Sequence, residues 1–335
     1  MQDFITLAHG SGGRAMHDLI EKIFKKHFSN EILNSGDDAA KLEMPAGRLA
    51  FTTDSYVVSP VFFRGGNIGK LAVCGTVNDL SAMGAVPLYL SCGFILEEGL
   101  AFGQLEEIVR SMAETAAESG VKLVTGDTKV VQKGAADSIF INTSGIGLIP
   151  EGVEISGRNA VPGDRVIITG SLGEHGCAVM LDREKLGISA AVKSDCAPLS
   201  DMVQKLLKRV GNVHVLRDPT RGGLATTLNE IASQSGTGIK LQEDKILVKD
   251  EIRGICELLG LDPLYIANEG KMIVIVPEAV ADEAVAALRS DRYGRDACII
   301  GEVLDKPAGR VFMQTITGGS RILDMLSGEQ LPRIC

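Results

Sequence analysis

Short apolar runs that break on aspartate or glycine recur from one end of this chain to the other, and helical stripes fall between them. The strand-like runs include RLAFTTDS, VKLVTGDT, SIFINTSGIGLI, RVIITGS, VHVLRD and KMIVIVP. A period of 3.6 places Met16, Leu19, Ile20, Ile23 and Phe24 on one helix face, and Leu105, Ile108, Val109, Met112 and Ala116 on another that Gly120 is placed to end. Leu224, Leu228, Ile231 and Ala232 make a third stripe. A chain that interleaves both periods throughout is α/β or α+β. The turn-rich GRNAVPGDRVIIT divides it into two expected domains, residues 1–157 and 158–320. Residues 321–335, with Pro332 among them, are expected to form a tail without strand or long helix.

Aromatics are 4% of the chain and tryptophan is absent, so the stacking platforms of carbohydrate and single-strand nucleic-acid binders are missing. A net charge of -9 argues further against a nucleic-acid backbone as partner. No apolar run approaches the ~18 residues of a membrane span. MQDFITLAHG lacks the basic and apolar stretches of a signal peptide, so a cytoplasmic protein is expected.

The seven cysteines include no C-x-x-C pair, and so neither zinc spacing nor a redox dithiol is visible. Six sit in apolar or mixed segments and read as small buried hydrophobes. Cys335, the last residue of LPRIC, has no such explanation.

Aspartates cluster where strands end: Asp37 and Asp38 in SGDDAAK, Asp54 in FTTDSY, Asp79 in TVNDLS and Asp127 in VTGDTK. One isolated aspartate is usually a turn former or helix cap. Five in one domain, with Lys129 beside the last, suit hard-cation chemistry: Mg²⁺ takes one or two carboxylates plus phosphate oxygens and water. HGSGGRAM adds a glycine loop before a helix, a weak phosphate-cradle signal. RGGNIGKL is not a Walker loop, because Arg64 stands where the first glycine belongs and Leu71 where Ser or Thr belongs. No G-x-S-x-G or H-E-x-x-H occurs. In the second half, RDPTRGGL joins Asp218 and Arg221 to a helix start, and YIANEGKMIVIV places Asn268, Glu269 and Lys271 before a strand. Glu269 is a candidate general base, and a solvated turn is nearly as good a reading.

These motifs, from LAHGSGGRAM through TVNDLSAMGA, VTGDTKVV, RDPTRGGL and ANEGK to the terminal PRIC, resemble the HypE family of hydrogenase maturation factors within the PurM-like ATPase superfamily. The resemblance spans essentially the whole chain. It implies a PurM-like two-domain fold, a homodimer built through the N-terminal sheet, and a mobile tail carrying Cys335. It also implies ATP and Mg²⁺ in an acidic cleft. Metal ligation falls by resemblance to Asp38, Asp54, Asp79 and Asp127. Cofactor contacts fall to Gly10, Ser11, Gly12, Gly13, Asp37, Asp54, Asn78, Asp79, Asp127 and Thr128. Cys335, Glu269 and Lys129 are the implied catalytic residues, and the choice between Glu269 and Lys129 as proton acceptor stays open.

The implied reaction dehydrates a carboxamide on Cys335 to a thiocyanate at the expense of ATP. A HypF-type carbamoyltransferase would load the thiol, and a HypC–HypD complex would accept the cyanide for the iron of [NiFe] hydrogenase. Two other readings stand beside it: an ATPase acting on a free small substrate, and a non-catalytic scaffold or thiol carrier.

Overall fold

The structure, a computed structural model, describes residues 4–35, 37–184, 191–326, 328, 331 and 333–335. Pro332 lies outside the described residues. The chain opens on helical residues 14–28, made of α1 (Arg14–Leu19), a π turn (Ile20–Phe24) and α2 (Lys25–Phe28). Leu19, Ile23 and Phe24 turn inward, as the stripe predicts, and Phe28 is buried with them. A four-stranded sheet follows, in the order β1 (Arg48–Tyr56), β6 (Ile139–Ile149), β4 (Val86–Glu97), β5 (Lys122–Val131). β6 runs antiparallel to both its neighbours, and β4 pairs parallel with β5. A parallel pair needs a crossover, which α4 (Phe102–Glu118) supplies. A small hairpin, β2 (Phe62–Phe63) with β3 (Gly66–Asn67), leads into α3 (Ile68–Ala82).

Helix α3 is the axle of the molecule. Asn67 caps it, its Oδ1 accepting from the backbone N–H of Gly69 at 2.9 Å and Lys70 at 3.1 Å. It shows no apolar stripe because it is buried nearly all round, against α4 and the first sheet on one side and α6 (Ser200–Val210) and β8 (Val215–Arg217) on the other. Asp79 rides near its C-terminal end.

The second sheet has seven strands in the order β13-β12-β9-β11-β7-β10-β8. Besides β8 these are β7 (Arg165–Ile168), β9 (Gly238–Gln242), β10 (Ile273–Val276), β11 (Cys298–Leu304), β12 (Arg310–Gln314) and β13 (Ser320–Leu323). Its helices are α5 (Glu174–Glu184), α6, α7 (Gly223–Ser235), α8 (Asp250–Leu259) and α9 (Glu278–Arg289). β13 corrects the expected tail: Arg321, Ile322 and Leu323 pair with β12. The remaining 12 residues reach at most about 40 Å when extended. Among the described residues no helix is long and apolar enough to cross a membrane.

Candidate functional site

A cavity of about 630 Å³ opens between the two sheets, and both domains line it. β1 contributes Thr52 and Asp54, α3 contributes Asp79, and the loop after β8 contributes Asp218 and Arg221. Glu269, from the turn before β10, and the terminal Cys335 complete it. Asp54 and Asp79 meet because α3 lies across β1; Gly75 makes that contact possible, since a Cβ there would collide with the Tyr56 hydroxyl.

Anionic charge is concentrated here faster than the protein neutralises it. Thr52 Oγ1 donates to Asp79 Oδ2 at 2.7 Å, and the Tyr56 hydroxyl donates to Asp54 Oδ2 at 3.3 Å. Burial, then the neighbouring Asp218 and Asp54 carboxyls, push Asp79 up to about 7 against the Thr52 hydrogen bond. Burial also raises Asp218, opposed by its own backbone N–H and by Arg217. Glu269 is only 3% exposed, and its Oε1 has no hydrogen-bond partner among the described residues. Burial first, and then Cys196, Asp218 and Asp195, hold its carboxyl well above the usual carboxylate range.

Such a cluster fits a cation. The donors are hard oxygens, and a cation would relieve both the neighbouring carboxyls that add to burial in raising Asp79 and the unpartnered Glu269 oxygen. Among the described residues no three His, Cys, Asp or Glu side chains stand close enough to complete a metal shell. An ion such as Mg²⁺, which keeps waters and takes phosphate oxygens, needs only one or two carboxylates. Asp54 and Asp79, with Asp218 nearby, could hold it.

The turn carrying Glu269 is held from behind. Asp195 Oδ1 accepts from the Glu269 backbone N–H at 3.2 Å and Oδ2 from that of Gly270 at 3.3 Å. Any residue larger than glycine at 270 would strike the Asp195 carbonyl. Asn78, expected to touch a cofactor, does something else: its Nδ2 donates to the carbonyls of Ala197 at 3.0 Å and Glu269 at 3.3 Å, and its Oδ1 accepts from the Leu199 N–H at 2.8 Å. It is buried and fastens α3 to the Glu269 turn.

The expected tail is docked at its end. The Cys335 carbonyl accepts from the Val57 N–H at 3.2 Å and the Arg333 carbonyl from that of Ser59 at 3.3 Å. Arg333 Nε donates to the Val57 carbonyl at 3.0 Å, and its Nη1 pairs with Asp137 at 2.6 Å. Arg183 Nη2 reaches the Arg333 carbonyl at 2.7 Å. His175 Nε2 lies 2.8 Å from the Ile334 carbonyl. Ile334, 4% exposed, packs into the N-terminal core. The residues that seat the tail lie at distant positions with no shared motif, and sequence reasoning missed them.

The other expected residues lie elsewhere. Asp127, Thr128 and Lys129 are on β5, the opposite edge of the sheet from β1 and about 14 Å away at ~4.8 Å per strand. Lys129 Nζ pairs with Asp127 Oδ2 at 2.8 Å, both side chains 63% exposed. That hydrogen bond leads the causes that pull Asp127 below the usual carboxylate range. Asp37, held by Lys41 at 2.9 Å, joins Asp127 and Thr128 around a second cavity of about 220 Å³ walled by Phe24, Phe28 and Phe94. Gly10 abuts Val130 on the same strand, while Ser11, Gly12 and Gly13 are exposed beyond it. Asp38 is exposed and lines neither cavity. Of the remaining cysteines, Cys298 is half-buried rather than a core thiol, and the other five are buried.

Comparison with known proteins agrees with this architecture. Residues 36–149 match the N-terminal domain, and 161–314 the C-terminal domain, of AIR synthase related proteins. The carbamoyl dehydratase HypE of Cupriavidus necator is 53% identical over 332 residues, 99% of this chain and 95% of that one. A crystal structure of the hydrogenase maturation protein HypE in complex with ATP superposes with a TM-score of 0.95 at 54% identity, covering 98% of this chain and 99% of that one. A chain from the crystal structure of a HypE–HypF complex matches with a TM-score of 0.81 at 51% identity, covering 92% and 99%.

Proposed function

This chain belongs to the HypE family of carbamoyl dehydratases that serve hydrogenase maturation, and from that premise we propose that its own terminal thiol is the substrate carrier. Cys335 bears a carboxamide, S–C(=O)NH₂, which ATP converts to a thiocyanate, S–C≡N. The observation that carries this reading is that Cys335 lines the same cavity as Asp54, Asp79 and Glu269.

An amide oxygen is a poor leaving group. Attack of that oxygen on the γ-phosphorus of ATP releases ADP and turns the oxygen into a phosphate ester. Loss of both nitrogen protons and departure of phosphate then leave the nitrile. Mg²⁺, bound by Asp54, Asp79 and Asp218, would neutralise charge on the phosphates. Glu269 takes one nitrogen proton in its carboxylate form, which a cation in the cavity favours against the burial that raises its pKa, and the second proton leaves with the phosphate. His175, Arg183 and Val57 hold the tail end so that Cys335 lines the cavity.

A HypF-type carbamoyltransferase would load the thiol and a HypC–HypD complex would receive the cyanide, both requiring the tail to leave this docked pose. The first sheet leaves Leu49, Phe51 and Ile95 exposed, Phe51 at 70%, which supports a homodimer through that surface.

Mass spectrometry of the C-terminal peptide tests the reading. Incubation with the carbamoyltransferase and carbamoyl phosphate adds one carbamoyl group, and ATP then removes one water from the adduct. Cys335→Ala abolishes both changes and leaves ATP affinity intact. An unmodified peptide, or cyanide formed by Cys335→Ala, overturns it.

A further inference from the structure

Four groups form one hydrogen-bonded line behind the docked tail. The Cys196 backbone N–H donates to Ser194 Oγ at 3.1 Å. With that lone pair engaged, Ser194 Oγ–H is free to donate to His175 Nδ1, 2.8 Å away. Nδ1 as acceptor leaves the proton of a neutral imidazole on Nε2, where it donates to the Ile334 carbonyl at 2.8 Å. Burial keeps the ring neutral by pushing its pKa down. Phe63 packs edge-on against the ring, centroids 5.4 Å apart at 89°, and fixes its plane.

Ser194 is itself anchored, its N–H donating to the Arg64 carbonyl at 2.7 Å. The next residue, Asp195, holds the backbone N–H groups of Glu269 and Gly270. Residues 194–196 therefore brace the tail through His175 and the Glu269 turn through Asp195.

We propose that His175, oriented by Ser194, is a positioning residue that sets the Cys335 thiol in register with Glu269, and that residues 194–196 are the common gauge for both. His175 acts through the Ile334 carbonyl, one residue from Cys335. The inference rests on the proposed role of Cys335 as carrier.

The test uses the full-length protein without carbamoyl donor, so it reads the latch even if the carrier role is wrong. Iodoacetamide labels Cys335, and peptide mass spectrometry separates it from the other half-buried thiol, Cys298. His175→Ala removes one buried hydrogen bond from the docked pose, and Cys335 labels about 3–10-fold faster. His175→Gln, whose side-chain N–H reaches the same carbonyl, labels within about twofold of the parent. Ser194→Ala keeps the ring but loses its orientation, labels faster than the parent, and serves alone should His175→Ala fail to fold. On carbamoylated protein at saturating ATP, His175→Ala slows dehydration while ATP affinity stays unchanged. Unchanged labelling in both His175→Ala and Ser194→Ala overturns the proposal, and so does a His175→Gln variant that labels as fast as His175→Ala. A terminal peptide that never takes up carbamoyl overturns the carrier role instead.

Discussion

Asp79 and Asp127 belong to the same sheet-and-helix domain and follow the same kind of short apolar run, yet the fold moves their protons in opposite directions. Asp79 lies on α3 beside Asp54 and Asp218, and burial drives it up to about 7. Asp127 stands on an exposed edge strand with Lys129 against it, and is pulled down. The contrast separates buried acids that hold their protons until something cationic enters from a contact that solvent already satisfies.

Three substitutions break or sharpen that contrast. The largest effect belongs to Glu269→Gln, which keeps the volume of the dry site and removes its base. Dehydration of the loaded thiol falls by about 10²–10⁴-fold with nucleotide affinity retained, as single-turnover kinetics and calorimetry together read. A rate within a few-fold of the parent would assign the proton elsewhere, with Lys129 the next candidate.

Asp79→Asn comes next. A carboxyl whose folded pKa is raised contributes stability below its unfolded pKa, near 4, and that contribution is lost as pH rises through about 7. Without divalent cation, the parent protein therefore loses stability between pH 4 and 8, by up to about 4 kcal/mol shared among the coupled acids. The Asn variant flattens that profile and is the more stable protein at pH 8, while binding Mg-ATP more weakly. Thermal melts across pH check the first statement; identical profiles for the two proteins contradict it.

The smallest stability effect is at the exposed pair. Asp127→Asn changes melting by no more than about 0.5 kcal/mol, as for other surface ion pairs. If Asp127 serves a neighbouring subunit's cavity, its loss still weakens ATP binding. Unaltered ATP affinity would leave the exposed pair a surface contact only.

Much of this was legible in the residues. β1, β5 and β6 and the helices at 102–118 and 223–235 all follow from alternation, a period of 3.6 and turn chemistry. The acids do not stand at strand ends as expected, for Asp79 lies within α3, and Asp54 and Asp127 within β1 and β5. Helix α3 was not legible by periodicity, because a helix buried on all sides shows no stripe. Its N-terminal turn in RGGNIGKL, read as no Walker loop, is a capped helix start. β13 was hidden because Ser320, Arg321 and Ile322 are exposed on an edge strand and offer little alternation to read. Asn78 looked like a ligand by its place beside Asp79; only the fold shows its amide spent on the backbone of the Glu269 turn.

By itself the sequence determined the α/β class, the two-domain division, the run of acids and the odd terminal thiol, since each is written in local periodicity, spacing or position. Only the tertiary structure decided that Asp54, Asp79, Asp218, Glu269 and Cys335 share one cavity while Asp127 and Lys129 stand on the far edge. It also decided that His175, Ser194 and Arg183 seat the tail. Those pairings join residues from about 25 to 280 positions apart, and their protonation depends on burial and on neighbours that local sequence does not name.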